Sequence, residues 1–305
     1  MKKNILICGG TGFIGYHLSV EAIKKGFNVT SVSTNPPKKI RYCSKVKYIQ
    51  CDLSNPNSLT KKIKGRFDYV INLAGYVNHK EKLNTYNSHY KGCKNLANFF
   101  LKKKLKSFIQ IGSSVEYGNI RSPQKENLYL KKKINSTYGL AKLKASKYLI
   151  NLYNTKAFPV TILRLYLVYG PRQDINRVVP ITISNCLKDC KFDCSDGNQY
   201  RDFLFIDDLK KAIFKCLDNK RAKGEIINLG SEKPKKIKQV IKYINKKIKK
   251  GKPIFGKVPL RKDEIMKLYP NISKAKKIIN WTPKINFYKG MNKTIKYYKK
   301  CYQLF

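Results

Sequence analysis

Tyr138-Gly139-Leu140-Ala141-Lys142 sets a phenol and an ammonium four residues apart. On a helix that spacing puts both side chains on one face. A free tyrosine ionises near pH ~10 and is a weak base at neutral pH. A lysine ammonium beside it, with any further cation in the site, favours the phenolate. Such a tyrosine takes a proton from an alcohol as hydride leaves the carbon, or returns one as hydride arrives. Alone, Tyr-x-x-x-Lys is a common accident of surface helices. A second motif, Ile111-Gly112-Ser113-Ser114-Val115-Glu116-Tyr117-Gly118, ends an apolar run and places Ser113 at its edge. At the C-terminal edge of a parallel strand that serine faces the cleft, where its hydroxyl can bond the oxygen reacting at the tyrosine. Taken singly, Ser113 is an ordinary turn serine.

A third motif implies a dinucleotide. Cys8-Gly9-Gly10-Thr11-Gly12-Phe13-Ile14-Gly15 follows an apolar run and opens a helical pattern. The glycines allow a tight turn and close approach of a pyrophosphate, and the helix start supplies free N–H groups and partial positive charge. Gly9, Gly12, Phe13, Ile14 and Gly15 are therefore predicted to contact the cofactor. In NAD binders an acidic residue ends the second strand and holds the adenosine ribose. That place falls on Ser33; no Asp or Glu occurs between Glu21 and Asp52, and Lys38, Lys39 and Arg41 follow. A missing carboxylate beside cations suits a 2′-phosphate, so the expected cofactor is NAD(P), with NADP favoured over NAD. The alternative is that these cations only reflect the general lysine excess.

The elements that must position these groups follow a rhythm. Apolar runs at 4–8, 28–33, 46–50, 69–73, 107–111 and 160–168 alternate with helical patterns at 13–25, 86–103 and 137–153. Strand, helix, strand in repetition predicts an α/β fold, a Rossmann-type doubly wound parallel sheet with right-handed crossovers. From Pro171 the elements shorten, with helices expected at 179–187, 207–217, 237–249 and 289–298 and strands at 203–205 and 225–229. The expected division is 1–170 as the NAD(P)-binding domain and 171–305 as a smaller C-terminal α/β substrate lobe, some of whose segments return to the main sheet.

Together the glycine turn, Asn72-Leu73-Ala74-Gly75, Ser113, Tyr138 and Lys142 resemble the extended short-chain dehydrogenase/reductases. Within them the chain is most similar to the NAD(P)-dependent nucleotide-sugar epimerases, dehydratases and 4-ketoreductases. The resemblance runs through Asp52-Leu53, Leu163-Arg164-Leu165, Tyr169-Gly170-Pro171, Arg201-Asp202-Phe203, Asp207-Asp208, Asn228-Leu229-Gly230-Ser231 and the C-terminal Ile272–Pro283 stretch. It implies Ser113, Tyr138 and Lys142 as the catalytic set, with Lys142 also holding the nicotinamide ribose. It implies Asp52, Leu53, Leu73, Ala74 and Gly75 as further cofactor contacts. Ser114, Arg201 and Arg261 are implied at the nucleotide-diphosphate sugar, where arginine suits a diphosphate through its forked donors. For Arg201 an ion pair with Asp202 or Asp207 is the competing expectation.

Departures narrow the chemistry. The Asp-Glu pair that follows the active-site Ser or Thr in dehydratases is Ser114-Val115 here, which disfavours elimination; Glu116, one place later, would point elsewhere. Leu167 replaces the family's usual Asn, and His89 stands where an Asn is frequent and reads as a packing residue. A 4-ketoreductase, similar to those making deoxyhexoses for surface polysaccharides, is favoured, with a 4-epimerase retaining its NAD as the alternative. A homodimer built on the helices of Tyr90 and Tyr138 is expected from the resemblance.

Composition bounds the rest. Hydrophobic residues make up 42% of the 305, enough to fold. No apolar run is long enough to span a bilayer, and the start of the chain enters a strand pattern without a signal-peptide core, so a cytoplasmic protein is expected. The formal charge of +47 would favour polyanions, but the excess is mostly scattered lysine, and arginine, which base-edge readout favours, is scarce. Specific nucleic-acid binding is not expected. A redox-sensing or RNA-associated member of the same fold would predict decay of Ser113, Tyr138 and Lys142, and all three are present. Cys186, Cys190 and Cys194 are evenly spaced but have no histidine nearby, so buried thiols are expected and no metal.

Overall fold

The computed structural model describes residues 2–127, 134, 136–260 and 264–303. Its centre is a seven-stranded parallel sheet. The strands are β1 (Asn4–Cys8), β2 (Asn28–Ser33), β3 (Val46–Gln50), β4 (Tyr69–Asn72), β5 (Ser107–Ser113), β6 (Val160–Leu165) and a seventh, Ile226–Leu229, which reaches the sheet edge beside β6 from beyond residue 171. From that edge the order is Ile226–Leu229, β6, β5, β4, β1, β2, β3. The central strands β1, β4, β5 and β6 are buried along nearly their whole length because both faces are covered, whereas the edge strand β3 is mostly not buried. Along β1, Ile5 and Ile7 enter one core while Leu6 and Cys8 enter the other. Ile71 and Val70 divide in the same way on β4, as do Ile109 and Phe108 on β5.

Strand order reverses between β1 and β4, and ligands bind at such a point, outside the carboxyl ends of the strands. Register decides what meets there. Cys8 lies opposite Asn72, and Asn72 opposite Gln110. The next residues along, Gly9 and Leu73 leaving β1 and β4 and Ile111 still within β5, are therefore neighbours.

Three helices frame that edge. Phe13–Lys24 follows β1. Thr137–Lys156 starts from Ser136, whose hydroxyl accepts the Gly139 N–H. The helix before β5 begins at Lys82 rather than at 86, and it is not one regular helix. Lys82–Tyr86 passes into a single π turn, Asn87–Lys91, and then into Gly92–Leu101.

The later part of the chain forms small sheets against the cleft. Leu167–Tyr169 pairs with Phe203–Phe205, Lys191–Asp193 with Lys252–Ile254, and Tyr200–Arg201 with both Lys235–Lys236 and Lys267–Leu268. Asp202 and Asp208 serve as scaffold. Asp202 accepts both N–H and O–H from Ser231, and Asp208 accepts the N–H groups of Lys284 and Ile285.

Candidate active site

Gly9 turns the chain at φ +78° out of β1. A Cβ there would lie 3.0 Å from the Ala74 nitrogen, so the turn sits directly on the Leu73–Ala74 backbone. At Gly15 an added Cβ would stand 2.3 Å from the Gly9 carbonyl, so only glycine lets the helix approach the turn. The helix starts at Gly12 with no side-chain cap and no acid in its first turn. The N–H groups of Phe13, Ile14 and Gly15 thus lie at its positive end, and the cradle fits a pyrophosphate.

The residues predicted to contact the cofactor lie as follows. Ser33 ends β2, and its hydroxyl accepts the Thr11 N–H at 3.3 Å. Asp52 is exposed, with Oδ1 accepting from the N–H and O–H of Ser54. Leu53 is buried, and its carbonyl accepts from Asn95. Asn72 shapes the exit of β4: it accepts the Ala74 N–H at 3.1 Å and donates to Gln110 at 2.8 Å. Gly75 leaves room for a ring, since a Cβ there would strike the His89 imidazole.

Tyr138 and Lys142 lie one turn apart on the helix Thr137–Lys156. Lys142 is buried and donates to the Ile111 carbonyl of β5 at 2.7 Å. Beside Tyr138, Gly139 packs against the turn Ser114–Tyr117, its virtual Cβ 3.1 Å from the Val115 carbonyl. The structure thus brings the start of the tyrosine helix onto the turn that follows Ser113. Ser114 is buried in that turn.

Glu116 holds the turn from behind. Its carboxylate accepts the Ser113 N–H at 2.7 Å, the Ser146 hydroxyl at 2.7 Å and Arg164 Nε at 2.9 Å. It points into the core, away from the cleft. The Arg164 guanidinium also lies over the Tyr117 ring at 4.3 Å.

Two histidines bracket Tyr138. His79 stacks on the ring with centroids 4.0 Å apart, and His89 meets it edge-on at 4.8 Å. His89 comes from the π turn, and its Nε2 donates to the Tyr76 carbonyl at 3.1 Å, while Nδ1 is buried without a hydrogen-bond partner. Burial first, then the Lys142 charge, push its pKa down to about 2, so the ring is neutral. His89 was read from the sequence as packing; it packs, and it does so on Tyr138. Nothing in the sequence pattern marks His79.

The arginines divide differently from the expectation. Arg201 is ion-paired with Glu264, not with Asp202 or Asp207, and also donates to the carbonyls of Tyr200 and Ile265, each at 2.7 Å. Asp207 pairs with Lys210 at 2.9 Å. Arg261 lies outside the described residues. Arg41, read as a cation available to a 2′-phosphate, is buried and paired with Asp174, which Lys38 also approaches at 3.6 Å. Of the three evenly spaced cysteines, Cys186 and Cys194 are buried as expected and Cys190 is exposed, on the turn after Val178–Leu187.

A family model described as "NAD dependent epimerase/dehydratase family" matches residues 5–230. The chain belongs to the NAD-dependent epimerase/dehydratase family. It is similar to the UDP-N-acetyl-alpha-D-glucosaminuronate decarboxylase of Bacillus cytotoxicus, at 30% identity, with 98% of this chain and 99% of that protein covered. Among solved structures it is similar to the UDP-glucose 4-epimerase of Thermotoga maritima, determined with UDP-glucose (TM-score 0.90, 25% identity, 98% and 99% covered). It is also similar to the UDP-glucuronic acid 4-epimerase of Bacillus cereus, determined with UDP-glucuronic acid and NAD (TM-score 0.86, 26% identity, 98% and 100% covered). This epimerase/dehydratase family member is therefore a Rossmann-fold enzyme of nucleotide-sugar chemistry with a nicotinamide cofactor. Among its described residues no helix is long and apolar enough to cross a membrane.

Proposed function

We propose that this enzyme runs a closed redox cycle at C4 of a UDP-linked hexose or hexuronate, with tightly held NAD, and releases the C4 epimer. The observation that carries this reading is Arg41. The preference for NADP drew on Ser33 in the place of the acid and on the cations Lys38, Lys39 and Arg41 after β2, and Ser33 counted also towards a 4-ketoreductase. Arg41 is instead engaged by Asp174 and by the carbonyls of Arg172 and Thr11.

The chain's own groups have defined tasks in this reading. Bound nicotinamide would supply the acceptor and later the donor of the C4 hydrogen. Tyr138 takes the proton from the sugar O4 and returns it once the sugar presents its other face. Lys142, fixed on the Ile111 carbonyl, stands one helical turn from the phenol. Ser113, held by Glu116, offers its hydroxyl to the same oxygen. Ser114 and Val115 supply no acid–base pair for loss of water. Arg201 and Arg261 would meet the diphosphate, Arg201 by exchanging Glu264 for phosphate oxygens.

Decarboxylation is a second reading, favoured by the 30% identity to a decarboxylase over nearly the whole chain. Oxidation at C4 of a hexuronate makes a β-keto acid, which loses carbon dioxide to leave a C4–C5 enolate; that enolate takes a proton at C5 before the ketone is reduced again. The test is incubation of the purified protein with UDP-glucose and UDP-glucuronate without added cofactor, followed by NMR and mass analysis. A 4-epimer supports the proposal, and loss of carbon dioxide supports the second reading. Inertness in both, with oxidation of added NADPH by a 4-keto sugar nucleotide, returns the enzyme to 4-ketoreduction. A homodimer covering the exposed Leu83 and Tyr153 belongs to the same reading, and light scattering tests it.

A further inference from the structure

The second strand ends in Ser33 where an NAD site ordinarily ends in an acid. From another part of the chain the structure brings a carboxylate that is linked to Ser33 through Arg41 and the Thr11 backbone. Asp174 lies beyond Tyr169-Gly170-Pro171, and its Oδ1 pairs with Arg41 and stands 3.6 Å from Lys38 Nζ. Arg41 also donates to the Thr11 carbonyl at 3.4 Å, and the Thr11 N–H goes to Ser33 Oγ at 3.3 Å. Ser33, Thr11, Arg41 and Asp174 thus form one unbroken set of contacts along the glycine turn.

The segment carrying Asp174 is pinned from three directions. The carbonyl of Pro171 accepts from His17 at 2.8 Å, that of Arg172 from Arg41 at 3.1 Å, and that of Gln173 from Tyr298 at 2.6 Å. The Arg41 side chain is only 4% exposed, whereas that of Asp174 keeps 40%. One partner is therefore locked in the protein and the other presents a carboxylate edge.

We propose that Asp174 is the cofactor-selecting carboxylate of this enzyme. It replaces the missing acid of β2, accepts from the adenosine ribose, and excludes a 2′-phosphate by occupying Arg41 and Lys38. A ribose 2′-hydroxyl donates to such a carboxylate. A 2′-phosphate meets like charge, and taking Arg41 for itself requires parting that buried guanidinium from its half-exposed carboxylate partner. The inference rests on the nicotinamide-dinucleotide reading of the glycine cradle, not on which sugar product forms.

The test is calorimetric titration of nucleotide-stripped protein with NAD+ and with NADP+, in the absence of sugar. Wild type is expected to bind NAD+ at least about tenfold tighter than NADP+. Asp174→Asn, which keeps a hydrogen bond to Arg41, and Asp174→Ala are expected to narrow that ratio about tenfold, mainly by tightening NADP+. A wild type that prefers NADP+, or variants that weaken both dinucleotides equally, would overturn the proposal, the latter by showing Asp174 to be a staple only. Lys38→Ala removes an exposed side chain and guards against variants that fail to fold. It should leave NADP+ binding within about threefold of wild type, and a larger loss means that Lys38 already serves a 2′-phosphate. No sugar takes part, so failure here leaves the C4 cycle standing, and failure of the product assay leaves this selection standing.

Discussion

His79 lies face to face on Tyr138, ring planes 12° apart and centroids 4.0 Å apart. With His89 edge-on at 4.8 Å, the phenol is held by a ring on its face and another at its edge. Aromatic pairs of this kind contribute about 0.5–1.5 kcal/mol beyond simple burial. If that energy fixes the phenol for proton transfer, His79→Ala lowers kcat by about two- to tenfold with KM little changed. Steady-state kinetics on the sugar nucleotide decides, and an unchanged kcat would make the stack incidental to turnover.

Tyr138→Phe removes the hydroxyl and keeps both ring contacts. Its thermal stability should stay within about 0.5 kcal/mol of wild type. Its kcat should fall by about 10²–10⁴-fold, the usual contribution of a positioned acid–base group. Paired melting and turnover measurements separate the two effects. Retained turnover would move the acid–base role to another residue.

The sheet and the glycine cradle were legible because both are local. The continuous apolar runs mark strands buried on two faces, and β1, β2 and β3 have the expected bounds. The setting of His89 against Tyr138 was not legible. The π turn at Asn87–Lys91 inserts an extra residue into a helix, and the 3.6-residue rhythm used to find helices does not register it. The partner of Arg41 was missed for another reason. Beside Lys38 and Lys39, Arg41 looks like one more surface cation, and its partner Asp174 lies 133 residues away. For Arg201 the partner acid was not foreseen, since Glu264 comes from a segment whose pairing no local pattern encodes.

His89 makes stability depend on pH. In the unfolded chain its imidazole protonates near its ordinary value of 6.5, whereas the folded value is pushed down to about 2 by burial and then by Lys142. The folded value lies below the unfolded one, so the stability present above pH 6.5 falls as pH drops towards 2. The slope for this one group is about 1.4 kcal/mol per pH unit. His17, also lowered chiefly by burial, acts in the same sense. Asp202 opposes them: burial raises its carboxyl to about 6, and it gains stability as pH falls from there towards 3.8. The clean observable is therefore a difference. His89→Asn should gain on wild type steadily between pH 6.5 and 5 in urea unfolding. A constant difference would mean that His89 takes up its proton in the folded protein.

Glu116 and Arg164 form an ion pair sealed beneath the Ser113 turn, with side chains 0% and 6% exposed. Removing one partner strands the other charge in the core, so Glu116→Ala should destabilise by about 3–5 kcal/mol. Replacing both, as Glu116→Leu with Arg164→Met, leaves no buried charge and should recover most of that loss. The double variant still lacks the acceptor for the Ser113 N–H and for the Ser146 hydroxyl. Its stability and its turnover should therefore part company: near-native denaturant midpoint, but kcat still reduced by about tenfold or more because Ser113 is no longer held. Recovery of both together would show that the pair only fills the core, and loss of both would show that the turn cannot form without the carboxylate.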